Sequence, residues 1–203
     1  MPLRDLIARI PGVRPAARHG RALRDRLFHP WRRRRALATV RRARSARRIV
    51  VLCLGNINRS PFAAALLRRG LQEAGDDARE VLSAGFIGPG RPSPPQAVAL
   101  AAARGLDLSD HQSRLVTREI VRDAGLVIVM NTVQARNVAR EHGARVSRVV
   151  ILGDLDDVLL ETREIRDPYD QEPAVYEARF ARVERCVSAL VEELVRSRRR
   201  VAG

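Results

Sequence analysis

Apolar residues follow two patterns along the chain, short unbroken runs and stripes at helical spacing, and from residue 48 onward the two alternate. Residues 49–52 are an unbroken apolar run, as expected of a strand buried on both faces. Further strand candidates follow at 80–84, 125–130 and 148–152. Between them, Ser60 as N-cap and Pro61 at the first position announce a helix that runs through Leu66, Leu67 and Leu71 to Gly75. Residues 85–95 read as a Gly/Pro-rich loop, 96–104 as a helix, and the stretch from 131 to about 141 as another. In the last helix Tyr176, Phe180, Val183, Val187, Leu190 and Leu194 recur every three or four positions, forming one apolar stripe. This alternation predicts an α/β domain with a parallel sheet. Ligands in such sheets bind at the carboxyl ends of the strands, and Cys53 sits at the end of the first.

Residues 1–48 are different. Leu3, Leu6, Ile7 and Ile10 recur at helical spacing until Pro11 and Gly12 interrupt them. Leu23, Leu27 and Phe28 predict a second short amphipathic piece ended by Pro30, and a third runs from Trp31 through Leu37 and Val40. Charge sharpens the division: residues 1–48 carry 16 Arg and 2 acids, whereas 49–203 carry 22 Arg and 21 acids, and there is no Lys. The chain thus divides into an Arg-rich extension, 1–48, and a nearly neutral body, 49–203. Because the basicity belongs to the arm, specific nucleic-acid binding is not expected of the protein as a whole. Arg-rich amphipathic pieces fit an anionic membrane surface or an acidic partner. The same composition fits a solvated, partly disordered extension, and a transit peptide is a third reading, although Thr39 and Ser45 are its only hydroxyl residues.

No apolar run approaches the roughly 20 residues of a spanning helix, and no secretory h-region is present. Cys53 and Cys186 are the only cysteines, which points to a reducing, cytoplasmic setting rather than a disulfide framework. The four His residues show no metal-ligand spacing, so neither a metal nor another cofactor is expected.

Candidate chemistry gathers at Cys53, Leu54, Gly55, Asn56, Ile57, Asn58, Arg59, Ser60 and Pro61. A loop this short between a buried strand and a helix can curl so that its N–H groups converge, and the helix N-terminus adds positive potential. Such a nest suits an anion, a thiolate nucleophile at Cys53 included. Arg59 ends the loop with a planar, permanently charged fork that matches two phosphate oxygens. Gly55 permits a tight backbone, and Asn56 tolerates positive φ better than most residues. Alone, a Cys-x5-Arg spacing is weak, because a cysteine ending a buried strand is commonly a core residue; the strand–loop–helix context reverses that. Phosphoryl transfer also needs an acid for the leaving oxygen. Asp167, stiffened by Pro168 and followed by Tyr169, whose ring could flank an aromatic leaving group, is the candidate.

Together these segments resemble the phosphate loop and acid loop of the low-molecular-weight protein tyrosine phosphatases. The resemblance extends from about Ile49 to Leu194, and Ser83-Ala84-Gly85, Asp110-His111-Gln112-Ser113-Arg114 and Val129-Met130-Asn131 sit where that family has comparable motifs. It implies a four-stranded parallel sheet flanked by helices on both faces and hydrolysis through a phosphocysteine. By the same resemblance Cys53 attacks, Arg59 binds phosphate, and Asp167 protonates the leaving group and then serves as base. Asn56, Ser60, Ser83 and His111 would shape the loop, with Ser60 donating to the thiolate. A phosphotyrosine protein is the implied substrate, a bacterial tyrosine kinase among the candidates.

The sequence departs from the family's pattern at three places. Asn58 stands where a second Cys is common, so peroxide is expected to inactivate Cys53 without recovery in dithiothreitol. Full recovery would count against this. The loop after Ser83 is short, with Phe86, Ile87 and Gly88 forming the expected pocket wall, and Asp170 follows Tyr169 at the mouth where an aromatic is common. A related branch that acts on phosphoarginine commonly has Thr at the position of Ile57, whose bulk and lack of a hydroxyl favour tyrosine. Arsenate reductases of this fold need further cysteines, and Cys186 reads as core. A non-enzymatic phosphate-sensing module recruited by the arm is the alternative from another class.

Overall fold

The computed structural model describes residues 13–159 and 162–196. Four strands, β1 (Arg48–Cys53), β2 (Glu80–Gly85), β3 (Leu126–Val129) and β4 (Val149–Ile151), form one parallel sheet in the order β2-β1-β3-β4. The helices are α1 (Val13–Arg42), α2 (Arg59–Glu73), α3 (Pro95–Ala102), α4 (Arg118–Arg122), α5 (Thr132–His142) and α6 (Pro173–Val195). In a strand successive side chains point to opposite faces, so the unbroken apolar run of β1 feeds two cores. Ile49, Val51 and Cys53 belong with Phe62 and Leu67 of α2, Ala97 of α3 and the α6 stripe. Val50 and Leu52 belong with Val121 of α4 and Val138 of α5. The sheet is therefore flanked by helices on both faces. All six residues of the expected α6 stripe are buried, and Phe180 stacks on Phe62 with ring centroids 4.2 Å apart. Cys186 is buried in the same core, and burial pushes its thiol pKa up, out of the range of useful reactivity.

Two expectations about helix boundaries fail. Ser60 does not cap α2, which begins at Arg59 with Asn58 in the N-cap position and no side-chain cap bond. The Ser60 hydroxyl is engaged by the preceding loop instead. Nor does Pro30 end a helix: it lies inside the 30-residue α1. An interior proline costs about 3 kcal/mol through a lost hydrogen bond and a steric clash, and contacts on both sides of it offset that cost. Asp25 pairs with Arg32 across the proline at 2.7 Å, and Arg33 Nε donates to Leu155 O at 3.4 Å. Further along, Ala36, Val40 and Ala43 enter the first core, and α1 packs against α6 and β4. The Leu3–Ile10 pattern lies outside the described residues. Among the described residues, no helix is long and apolar enough to cross a membrane.

Candidate active site

The chain leaves the sheet at Cys53, and after five intervening residues α2 begins. Asn56 makes this tight return possible by adopting φ 52°, in the left-handed region that Asn visits more readily than most residues. Its backbone N–H then reaches Cys53 Sγ at 3.2 Å, and the Ser60 hydroxyl donates to the same sulfur at 3.0 Å. The Asn56 side chain ties the loop to its surroundings. Its Nδ2 donates to Ser60 Oγ (2.9 Å) and Ser83 Oγ (3.0 Å), and its Oδ1 accepts from Arg114 N (3.0 Å). The Asn56 backbone carbonyl accepts from His111 Nε2 at 2.7 Å, which fixes the proton on that nitrogen. Burial holds the His111 pKa below its ordinary value, with Arg114 and Arg68 adding repulsion and the bond to Asn56 opposing them. Asn56 is thus fully satisfied although fully buried.

The segment after β2 clamps the loop from outside. Phe86 N and Ile87 N donate to Leu54 O at 2.7 and 3.1 Å. Gly85 must be glycine here, because a Cβ would lie 2.8 Å from both Asn56 N and Leu54 O. Arg91 adds a second brace, donating through Nη2 to Gly55 O at 3.1 Å and through Nε to Gly88 O at 2.9 Å. Ser113 supports that turn, since its hydroxyl donates to Gly88 O at 2.7 Å.

Arg59, 3% exposed, spans from the phosphate loop to the acid loop. Its Nη1 donates to Ile165 O at 2.9 Å and its Nη2 pairs with the Asp167 carboxylate, while its buried Nε has no hydrogen-bond partner. Asn58 Nδ2 lies 3.4 Å from Asp167 Oδ1, and Tyr169 N donates to the same oxygen at 3.3 Å. Ile165 N donates in turn to Met130 O, fastening the acid loop to the end of β3. Tyr176, buried beside Asn58, has its phenol pKa pushed up by desolvation. Among the described residues, no group of three or more His, Cys, Asp or Glu could hold a metal ion.

The structure ties these residues into two hydrogen-bonded groups, Cys53, Asn56, Ser60, Ser83 and His111 in one and Asn58, Arg59 and Asp167 in the other, with Asn58 and Arg59 belonging to the same loop as Cys53. Leu54, Ile87 and Tyr169 remain exposed, and Asp170 takes a left-handed backbone at φ 57°. Phe86 is a correction: expected at the pocket wall, it packs into the second core, 5.9 Å from the His142 ring, and the neighbouring Ile87 takes the exposed position. Strand alternation explains the exchange, because Phe86 continues the β2 register toward that face. Sequence reasoning missed Arg91 and gave Ser113 and Arg114 no role. Nothing local distinguishes Arg91 from the other arginines, while Ser113 and Arg114 stood in a motif already singled out.

Comparison with known proteins agrees with this geometry. The family model for low molecular weight phosphotyrosine protein phosphatase matches residues 48–200. The probable low molecular weight protein-tyrosine-phosphatase EpsP of Ralstonia solanacearum is 36% identical over 148 residues, covering 72% of this chain and 94% of that protein. The tyrosine phosphatase Wzb of Escherichia coli K30, solved with sulphate, superposes with a TM-score of 0.65 at 26% identity over 73% of this chain and 98% of its own. The YwlE arginine phosphatase, solved as a cysteine-to-serine mutant with a phosphorylated active-site serine, gives 0.66 at 25% identity over 75% and 98%. With three quarters of its length matched by the family model, the chain belongs to the low molecular weight phosphotyrosine protein phosphatase family, whose members are cysteine-dependent enzymes.

Proposed function

We propose that this protein hydrolyses phosphotyrosine in proteins through a phosphocysteine at Cys53. One observation carries the reading: a buried sulfur receives two donors at one end of a loop, and a buried guanidinium with an unpartnered Nε stands at the other end, joined to a carboxylate. A buried charged donor without an acceptor is costly, and a phosphate oxygen supplies the acceptor.

Cys53 Sγ attacks phosphorus, the bond from phosphorus to the tyrosine oxygen breaks, and Asp167 transfers its proton to that oxygen. Water then attacks the phosphocysteine while the Asp167 carboxylate takes its proton. The S–P bond breaks, releasing inorganic phosphate and the thiolate. Donation from Asn56 N and Ser60 Oγ stabilises the negative sulfur in both steps. Arg59 holds the non-bridging oxygens through both steps, giving up its contact with Asp167 as it does so. The exposed Leu54, Ile87 and Tyr169 offer apolar surface to an aryl group, and Ile57 offers no hydroxyl to a guanidino phosphate. Similarity to bacterial tyrosine phosphatases supports a bacterial tyrosine kinase as the phosphoprotein substrate. The basic arm would bring this cytoplasmic enzyme to an anionic surface.

Hydrolysis of p-nitrophenyl phosphate by the wild type and not by Cys53→Ser is expected, with phosphotyrosyl peptide preferred to phosphoarginyl peptide. Equal activity of the two proteins excludes the Cys53 mechanism. Preference for phosphoarginine excludes the substrate.

A further inference from the structure

Helix α1 buries one side and exposes large apolar side chains on the other. Outward stand Leu23 (60% exposed), Leu27 (68%), Phe28 (50%) and Trp31 (58%). At 3.6 residues per turn these four fall within an arc of roughly 140° and extend along about 12 Å of the helix. Four adjacent large apolar side chains on one helix face are a patch of the kind that marks a docking surface. Arg24, Arg34 and Arg35 are exposed in the same arc, and the Arg35 guanidinium lies 5.6 Å from the centroid of the Trp31 ring. Asp25 is the only acid in α1, and it is turned inward, paired with Arg32 and accepting from Arg163 N at 3.3 Å. The outward face is therefore apolar and cationic without a carboxylate to offset it.

We infer that this face docks on an anionic lipid bilayer. Trp at an interface and Arg stems that lie along apolar surface while their heads reach phosphate are what the headgroup boundary accommodates. The apolar groups are interleaved with Arg and have no carboxylate among them, which suits a uniformly anionic surface. The inference deepens the recruitment reading above by naming the face and its occupant, and does not depend on the catalytic assignment.

The helix also sets the direction in which the enzyme faces. Its carboxyl end is at the amino-terminal edge of the sheet, where Arg44 meets Glu193 and Ala46 abuts Gly125, just before β3. Toward its amino end, Arg33 reaches Leu155 beyond β4, and Asp25 holds the backbone four residues before Asp167. The apolar patch thus lies at the catalytic edge, and docking there holds the site mouth beside the bilayer.

The test uses the full chain with phosphatidylcholine vesicles, with and without phosphatidylglycerol, and compares Leu27→Glu/Trp31→Glu and Arg34→Glu/Arg35→Glu. Wild type is expected to sediment with phosphatidylglycerol vesicles, more weakly at high salt, and each double variant to bind at least about tenfold more weakly. Both variants should retain wild-type hydrolysis of p-nitrophenyl phosphate in solution, so loss of docking is read separately from loss of catalysis. Unchanged binding by Leu27→Glu/Trp31→Glu overturns the inference. So does a wild-type dimer in light scattering that the same variant abolishes, because a second copy then covers the face. For orientation, wild type should cleave a lipid-tethered phosphotyrosyl peptide on such vesicles about tenfold faster than the free peptide. Equal rates would remove the claim that the mouth faces the bilayer.

Discussion

The two loops that meet at Arg59 are held in opposite ways. In the phosphate loop Asn56, Asn58, Arg59 and Ser60 are all buried, and Asn56 is bonded to β2, to the 111–114 segment and to Cys53. In the acid loop the Asp167 side chain is 34% exposed, and its carboxylate is held by Arg59, Asn58 and the backbone of Tyr169, all inside the site. The fold therefore fixes the surroundings of Cys53, the proposed nucleophile, whereas the position of Asp167, the proposed acid, depends on the groups proposed to bind substrate. In the proposed mechanism phosphate takes Arg59, and the carboxylate, having lost its main partner, is released for proton transfer. A site of this design separates two properties. Damage to the phosphate loop costs stability and rate together, and damage to the acid costs rate alone.

The sharpest way to break this comparison is Asp167→Asn. Loss of a positioned general acid lowers kcat by about 10²–10⁴-fold, with a smaller loss for p-nitrophenyl phosphate, whose leaving group needs less protonation than phenyl phosphate. Because the carboxylate is partly solvated, its pairing with Arg59 adds little to folding, and thermal melts of the variant should overlay the wild type. A marked fall in melting temperature, or equal losses on the two esters, would contradict the separation.

Asn56→Ala tests the other loop and should cost both properties. It strands Arg114 N and the Ser83 hydroxyl, takes one partner from the Ser60 hydroxyl, and puts Ala where φ is 52°. At roughly 1–3 kcal/mol for a buried group left unsatisfied, the denaturant midpoint should fall by the equivalent of about 3 kcal/mol, and kcat should fall with it as Ser60 loses its orientation. Gly85→Ala approaches the same loop from outside, forcing a Cβ against Asn56 N and Leu54 O. Overpacking of this kind costs about 1–3 kcal/mol, again with lost rate. Wild-type stability in both variants would mean that the loop is not held by these contacts.

What the sequence made legible follows the same division. The phosphate loop could be read because its chemistry is local: Cys53, Asn56, Arg59 and Ser60 lie within eight residues, and the strand and helix that frame them carry clear periodicities. The β1 run and the α6 stripe were legible for that reason, since burial on two faces or along one stripe is written directly in residue order. Contacts between distant segments were not. Arg91 braces Gly55 from 36 positions away, and Asp25 reaches Arg163 across 138. Arginine appears in every part of this chain, so its presence in a loop carries no signal. Pro30 misled for a related reason, because its local cost is real but is outweighed by tertiary contacts on either side. Ser60 misled because a hydroxyl can cap a helix or serve a neighbouring sulfur, and only the fold of the loop decides which.

The smallest expected effect is one of pH, and it isolates the phosphate loop. His111 donates through Nε2 to Asn56 O, and burial, with Arg114 and Arg68 nearby, lowers its folded pKa below the 6.5 of a free imidazole. The unfolded chain therefore binds this proton more readily than the folded protein does. Above about pH 6.5 the imidazole is neutral in both states and the loop has its full stability. As pH falls below that value, the unfolded state gains the proton first, and stability is lost until the folded value is reached. His111→Gln keeps a donor for the carbonyl and removes the titration. Melts of both proteins at pH 7.5 and 5.5 should show a smaller fall for the variant, by a few degrees at most. Everything else is common to the two proteins and cancels in that difference. An equal fall would mean that His111 takes up its proton as easily in the folded loop as in the unfolded chain, and that the loop is less closed to solvent than its hydrogen bonds imply.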